Sequence, residues 1–300
     1  MNTMKSSLRQ RVTLGHVLVV IFIGMFAAMC LYPFLLVISG SFTTNIAAKT
    51  YGFSLIPREF TTAAYKTLFS NSQAIVSAYK VTVFVTVVGT FLSIVINTMI
   101  AFTLSRQMLP GRRIINLYVL ITMLFNGGMV PWYLICTRYL HLQDTIFALI
   151  VPMLVGAWDI FLIRNYFQSI PNEMYECAKI DGAGDFYILF RIYFPLGKPV
   201  IATVVLFTAL GYWNDWWHAL MLVEVQSLQP LQMLLRAIIS NIQFLQTMDS
   251  SPQVQQMMAS IPGDGIRMAL VIITTGPIIL LYPFIQRYFV KGIMVGSIKG

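Results

Sequence analysis

Six apolar segments, near 16–40, 76–105, 113–136, 143–166, 198–223 and 266–289, decide what this chain can fold into. Each is close to or above the ~20 residues that an α-helix needs to cross a hydrocarbon core. Inside a bilayer every backbone N–H and C=O must be bonded within the protein, so such segments are expected as helices. Only 10% of residues are charged and 57% are hydrophobic. A soluble domain carries roughly 25% charge, too far from this value for the segments to be ordinary core helices. The fold class read from the sequence is therefore all-α and integral to the membrane, with six spanning helices.

The N-terminus has a basic start followed by an apolar run at 17–37. No small-residue cleavage site follows at short distance, so the run reads as an uncleaved first span after a tail at 1–15. Cys30, Cys136 and Cys177 show no metal-ligand spacing and suggest no disulfide framework.

Basic residues orient the spans. With both termini in the cytoplasm, 13 of the 20 Lys and Arg fall inside and 7 outside, in agreement with the positive-inside rule for an even number of spans. This accounts for the net charge of +9 without nucleic acid, since the cations are divided among short loops and form no continuous patch. The same orientation places the stretch 167–197 in the cytoplasm. It places 41–75 and 224–265 outside, with a short helix expected near 62–69 and another near 230–246. A cytoplasmic tail is expected at 290–300.

Of 11 acidic residues, four crowd into the cytoplasmic stretch: Glu173, Glu176, Asp181 and Asp185. The sequence "SIPNEMYECAKIDGAGDFYILFRIYFP" at 169–195 reads as two short helices. Pro171 suits a first helical position, and Asn172 and Glu173 suit the positive end of the helix dipole. Gly182 suits the left-handed residue past the helix end. Asp185 is expected to cap a second helix over 186–193, which Pro195 should stop. Cys177, Ala178 and Ala183 leave little bulk around the turn. From these properties alone the stretch is either a knob that fits a partner's groove or a solvated loop between two spans.

Its spacing resembles the EAA motif of bacterial ABC importer permeases: Glu-Ala-Ala, three residues, Gly, nine residues, Ile-x-Leu-Pro. Glu176, Cys177 and Ala178 stand at the first three positions, then Gly182, then Ile192 to Pro195. Cys177 replaces Ala and Phe194 replaces Leu, and neither introduces a charge. The segments "FLIRNYFQSIPNEMYECAKIDGAG" at 161–184 and "QRYFVKGIMVGSIKG" at 286–300 resemble the carbohydrate-importer, maltose-permease-like branch. "FNGGMVPWYLICTRYLHLQDT" at 125–145 resembles its oligosaccharide and polysaccharide subfamily. The resemblance covers most of the chain, least clearly 224–265.

The resemblance implies a type I importer permease of the bacterial cytoplasmic membrane that moves oligosaccharides by alternating access. Glu176, Cys177, Ala178, Asp181, Gly182, Ala183 and Pro195 would form the ATPase-coupling loop. The partners implied are a cytoplasmic ATPase dimer, a second and distinct permease, and an extracellular sugar-binding protein. The chain has no P-loop pattern, so ATP and Mg would be bound by the ATPase, with no cofactor here and no enzymatic activity of this subunit alone. The basic tail, with Lys291 and Lys299, suits anionic lipid or, by the resemblance, the ATPase interface. An ion-coupled secondary transporter or a channel subunit is the competing class. Such a transporter would show repeats and ionisable groups near the midplane, whereas here the acids concentrate in one loop.

Polar residues inside spans mark a path or a partner. "LGYWNDWWHAL" at 210–220 falls in the outer half of the fifth span. Tyr212, Trp213, Asn214 and Asp215 are candidates for a sugar path, because aromatic faces and amides match sugar C–H faces and hydroxyls. The tryptophans equally fit an interfacial belt. Asn97 is expected to bond between helices, and Asp159 to form an ion pair or an inner-gate contact. "NGGMVPW" at 126–132 either bends the third span or ends it.

Overall fold

The computed structural model describes residues 14–70, 72–247 and 263–292. The expected features at 1–13, 248–262 and 293–300 lie outside the described residues. Within them the chain is all-helical, and the β-type pairing is a single bridge between Thr43 and Phe60.

The chain divides into two compact units, 1–70 with 248–273, and 71–247 with 274–300. In the first unit, α1 (Leu14–Ser41) carries its apolar side chains exposed over most of its length, as a helix bordered by lipid or by a partner chain would. The loop after it turns into α2 (Asn45–Tyr51), whose end residues explain its limits. Thr44 caps it by accepting from the Ala47 N–H at 3.2 Å, and Gly52 ends it at φ +74°. Thr44 also donates to Glu59 at 2.6 Å, closing the loop on itself. Next comes α3 (Ala63–Ser70), at the position read from the sequence.

The second unit is built around α4 (Ser72–Ser105), the longest helix described. It packs against α7 (Ala157–Gln168) and α11 (Lys198–Trp213). One core cluster joins Ile94, Ala101 and Phe102 of α4 to Ile160, Ile163 and Phe167 of α7 and to Val200, Ile201 and Val204 of α11. A second cluster lies further along α4, where Val85 meets Leu149, Ile150, Tyr212 and Leu222. The Tyr212 hydroxyl donates to the Ile150 carbonyl at 3.0 Å, and its ring lies against Gly89, where an added Cβ would meet ring carbons at 2.6 Å. Glycine is thus what lets α4 and α11 approach there.

By length and apolarity α1 and α4 are each long enough to cross a membrane, and three further bent pairs pass the same test only when both halves are counted. The expected third span is α5 (Arg112–Leu124), a break at 125–128, then α6 (Met129–Leu134) and a π-turn at Ile135–Tyr139, with a bend of 111°. Gly128 takes φ +89° and its N–H is held by the Asn126 side chain at 2.8 Å, so "NGGMVPW" bends the chain. The expected fourth segment, 143–166, is two 3₁₀ turns, Ile146–Leu149 and Val151–Met153, followed by α7 after a 47° bend. Pro152 and Gly156 interrupt the helix, and Asn97 holds the interruption. The expected fifth segment breaks at 214–216 between α11 and α12 (Trp217–Leu222). Asp215 accepts from the His218 N–H and ring, taking over the role of a helix start. Beyond it lie α13 (Leu231–Thr247), close to the helix expected at 230–246, and α14 (Gly263–Gly292), which contains the sixth expected segment.

Candidate functional site

The stretch expected in the cytoplasm folds as a compact hairpin of short helices. The first, α8, runs over Glu173–Ile180. Asp181 ends it, and Gly182 follows at φ +82° with its N–H on the Lys179 carbonyl at 3.0 Å. The Ala183 N–H then returns to the Ala178 carbonyl at 2.9 Å, the closing bond of a left-handed helix terminus. An added Cβ on Gly182 would meet nothing within 4 Å, so the backbone angle alone explains the glycine.

Two expectations for the second half are corrected. Asp185 is the first residue of α9 (Asp185–Ile188), and Gly184 occupies the cap position. The Asp185 carboxylate instead reaches across the turn, accepting from the Tyr175 hydroxyl at 2.8 Å and pairing with Lys179 Nζ at 3.0 Å. Pro195 does not stop the helix. A π-turn at Leu189–Tyr193 precedes it, and α10 (Phe194–Leu196) carries the helical path through the proline. The wider π-turn shifts the bonding frame, so the missing proline N–H breaks no ordinary i to i−4 ladder. The chain turns at Gly197, by 86°, where an added Cβ would meet a Phe167 ring carbon at 2.6 Å.

The hairpin presents two sides. Glu176, Cys177, Asp181 and Pro195 are exposed, and Ala183 is half-buried. Ala178 packs into the core cluster with Ile188, Leu189 and Tyr193. On the inner side Tyr175 and Tyr193 close on Arg106, the residue that follows α4. The Arg106 guanidinium stacks on the rings of Tyr193, Tyr175 and Phe102 at 4.4, 4.8 and 4.8 Å, and donates to the Tyr193 hydroxyl at 2.9 Å. Beside this contact lies a cleft of about 350 Å³, lined by Thr103, Arg106, Tyr175, Asp185 and Phe186 among others. The electrostatics follow the geometry. Hydrogen bonds from Lys179 and Tyr175 hold the Asp185 carboxyl below the usual carboxylate range. The same Asp185 raises the Lys179 ammonium. Burial, then the bond to Asp185, raises the Tyr175 phenol.

The four sugar-path candidates separate. Tyr212 and Trp213 are buried, and the Trp213 indole donates to the Thr274 carbonyl at 3.1 Å. Asn214 is exposed, bonds the Leu210 carbonyl at 2.9 Å and accepts from Gln232 at 3.3 Å. Asp215 is engaged with His218 at 2.9 Å. Beside Asn214, on α13, the Arg236 guanidinium lies over the Trp216 ring at 3.8 Å. Trp132, from the bent third segment, packs on Trp217 and His218. Asp159 makes no ion pair among the described residues; its carboxylate lies over Gly156, where an added Cβ would stand 2.6 Å from Oδ2.

Neither Arg106 nor Arg236 is marked by the sequence: Arg106 is one of the 13 cations expected inside. Its proximity to two aromatic residues some 70 and 90 positions onward along the sequence leaves no local signal.

Comparison with known proteins is consistent across three levels. A family profile described as "Binding-protein-dependent transport system inner membrane component" matches residues 99–295. The chain is 39% identical to protein LplC of Bacillus subtilis (strain 168) over 281 residues, covering 94% of this chain and 93% of that one. It is 40% identical over 284 residues to the polygalacturonan/rhamnogalacturonan transport system permease protein YtcP of the same organism, covering 93% and 96%. Among solved structures, a chain of a bacterial ABC transporter involved in import of the acidic polysaccharide alginate aligns with TM-score 0.79 at 29% identity, covering 96% of this chain and all of that one.

Proposed function

We propose a role for a chain that belongs to the family of binding-protein-dependent transport system inner membrane components: it is the permease subunit of an ATP-driven importer of oligosaccharides. The observation that carries the coupling part of this reading is the α8–Gly182–α9 hairpin. Its outer side presents Glu176, Cys177 and Asp181, while its inner side is packed into the core that joins α4, α7 and α11. A knob of this build can seat in a cleft of an ATPase subunit and pass the cleft's movement on. Glu176 would meet a basic group of that cleft, and Gly182 would allow the sharp turn.

In this reading six spans place both termini in the cytoplasm of a bacterial cell. The chain pairs with a second, distinct permease, an ATPase dimer that binds ATP and Mg, and an extracellular sugar-binding protein. ATP closes the dimer, and the spans rock between inward- and outward-facing states as packed bodies.

In this reading the sugar path runs past the break between α11 and α12. Asn214, with its amide neighbour Gln232, offers hydroxyl partners, and the Arg236–Trp216 pair adds a cation. A guanidinium suits a carboxylate, so an oligosaccharide carrying uronate groups fits this edge better than a neutral one.

The test is co-purification of the tagged chain with its ATPase, companion permease and binding protein, followed by reconstitution in nanodiscs. ATP turnover is then measured with binding protein loaded from trigalacturonate or arabinotriose. Stimulation by at least one sugar, strongest with the uronate, is the expected result. If no ATPase accompanies the chain, the importer reading fails; stimulation by arabinotriose alone overturns the uronate preference.

A further inference from the structure

The coupling hairpin is tied to one particular helix end. Where α4 finishes at Ser105, its last carbonyls need partners and its dipole favours a cation. Two arginines stand at that end, and one of them bonds a carbonyl. Arg112 donates from Nε to the Leu104 carbonyl at 2.9 Å. Arg106 does not bond those carbonyls through its side chain. Its Nε and one terminal nitrogen both reach Ser105 Oγ, at 3.1 and 2.9 Å, and the other terminal nitrogen reaches the Tyr193 hydroxyl at 2.9 Å.

Three rings surround the same guanidinium, and they come from three elements. Phe102 belongs to α4, Tyr175 to α8 and Tyr193 to the π-turn after α9. Tyr175 is itself fastened to Asp185 by its hydroxyl at 2.8 Å, and Asp185 to Lys179 at 3.0 Å. A planar cation with a fixed fork of donors is suited to this arrangement, since it can stack and donate together. If only α8 were displaced, Tyr175 would leave the stack. If only α9 and the π-turn after it were displaced, the Asp185 bond and the Tyr193 contact would go with them. The contact therefore favours motion of both halves of the hairpin together with the inner end of α4.

We propose that Arg106 is a positioning residue that locks the coupling hairpin onto the inner end of α4, so that displacement of α8 by the ATPase is delivered to this long helix rather than absorbed in the loop. The proposal rests on the importer reading above and adds the route by which the movement enters the spans. Arg106 need not touch the ATPase or the sugar.

The test uses the full complex in nanodiscs, with Cys30 and Cys177 replaced by Ala. A cysteine pair, Thr103→Cys with Phe186→Cys, reports across the cleft that both residues line. Cross-linking yield is compared without nucleotide and after trapping with ATP and vanadate. With Arg106 present the yield should be the same in both states. With Arg106→Met it should fall at least threefold on trapping while the ATPase still co-purifies. Arg106→Lys keeps the charge without the planar fork and should give an intermediate fall. An Arg106→Met complex whose yield does not change on trapping overturns the proposal. If that variant does not assemble, Arg106→Lys decides: a yield unchanged on trapping overturns the proposal, and a fall supports it. Failure of the unaltered chain to carry an ATPase removes the importer reading and this one together, which separates the two outcomes.

Discussion

Asn97 spans a break in the chain that it does not belong to: its Oδ1 accepts from the Gly156 N–H at 3.2 Å, and its Nδ2 donates to the Leu154 carbonyl at 3.2 Å. Asn97 is fully buried in α4, and a further bond to Ser93 at 2.9 Å fixes its amide. The stretch between the 3₁₀ turns and α7 has lost its helical partners, and one side chain restores two of them. Asn97→Leu should keep the volume and leave both backbone groups unpaired. The expected loss is about 1–3 kcal/mol, read as a lower thermal midpoint of the purified chain in detergent. Asn97→Asp should cost more than Asn97→Leu, since an ionised carboxylate buried there loses its hydration and faces a Leu154 carbonyl it cannot donate to.

Gly182 can be separated from its neighbours by backbone angle alone. At φ +82°, with no atom within reach of an added Cβ, the cost of a side chain is conformational. Gly182→Ala should cost about 1–2 kcal/mol locally, and Gly182→Asn less, because asparagine visits this region more readily. Gly182→Val should be the most damaging. The order Gly, Asn, Ala, Val should be reproduced in the amount of ATPase retained on the tagged chain. Equal retention across the series would show that the turn is not what seats the hairpin.

The helices of this chain were legible where a single property governs a long run. Apolarity alone located α4, and Gly182 located the end of α8 through one φ angle. The break at 150–156 is not legible because a distant side chain, Asn97, holds it; that at 214–216 is held partly by the local Asp215–His218 pair and partly by Gln232 on α13. Trp213 is a sugar candidate by residue type, and the sequence carries no sign of its burial or of its bond to the distant Thr274 carbonyl. Asp185 read as a cap for the same reason: its residue type suits capping, while its actual partners depend on how the hairpin closes.

That closure carries a pH dependence whose sign follows from the direction of each shift. Asp185 is depressed, so its contribution is present above the unfolded value of about 3.9 and is lost as pH falls through the folded value. Lys179 is raised, so its contribution is present below about 10.4 and is lost as pH rises through its folded value. The hairpin should be tightest between these limits. Hydrogen exchange at 173–193, corrected for intrinsic rates, should be fastest at the acid end. Asp185→Asn should remove most of that acid dependence, and high salt should weaken the pair at neutral pH because both partners are exposed. An acid-side increase that survives Asp185→Asn would assign the effect to another group.

Trp213 and Asn214 are adjacent, yet they should fail in different ways. Trp213 is buried, and its indole N–H is committed to the Thr274 carbonyl. Trp213→Phe keeps a ring but removes the indole N–H and its bond to Thr274, at an expected cost of about 0.5–1.5 kcal/mol. It should lower the yield of folded chain while the protein that remains transports normally. Asn214 is exposed and bonds outward to Gln232. Asn214→Ala should leave the stability within about 0.5 kcal/mol of the unaltered chain, yet lower uptake of a labelled trigalacturonate severalfold in reconstituted complexes. If Asn214→Ala transports like the unaltered chain, the path does not run past this break. A Trp213→Phe complex that is stable but inactive would return the indole to the sugar.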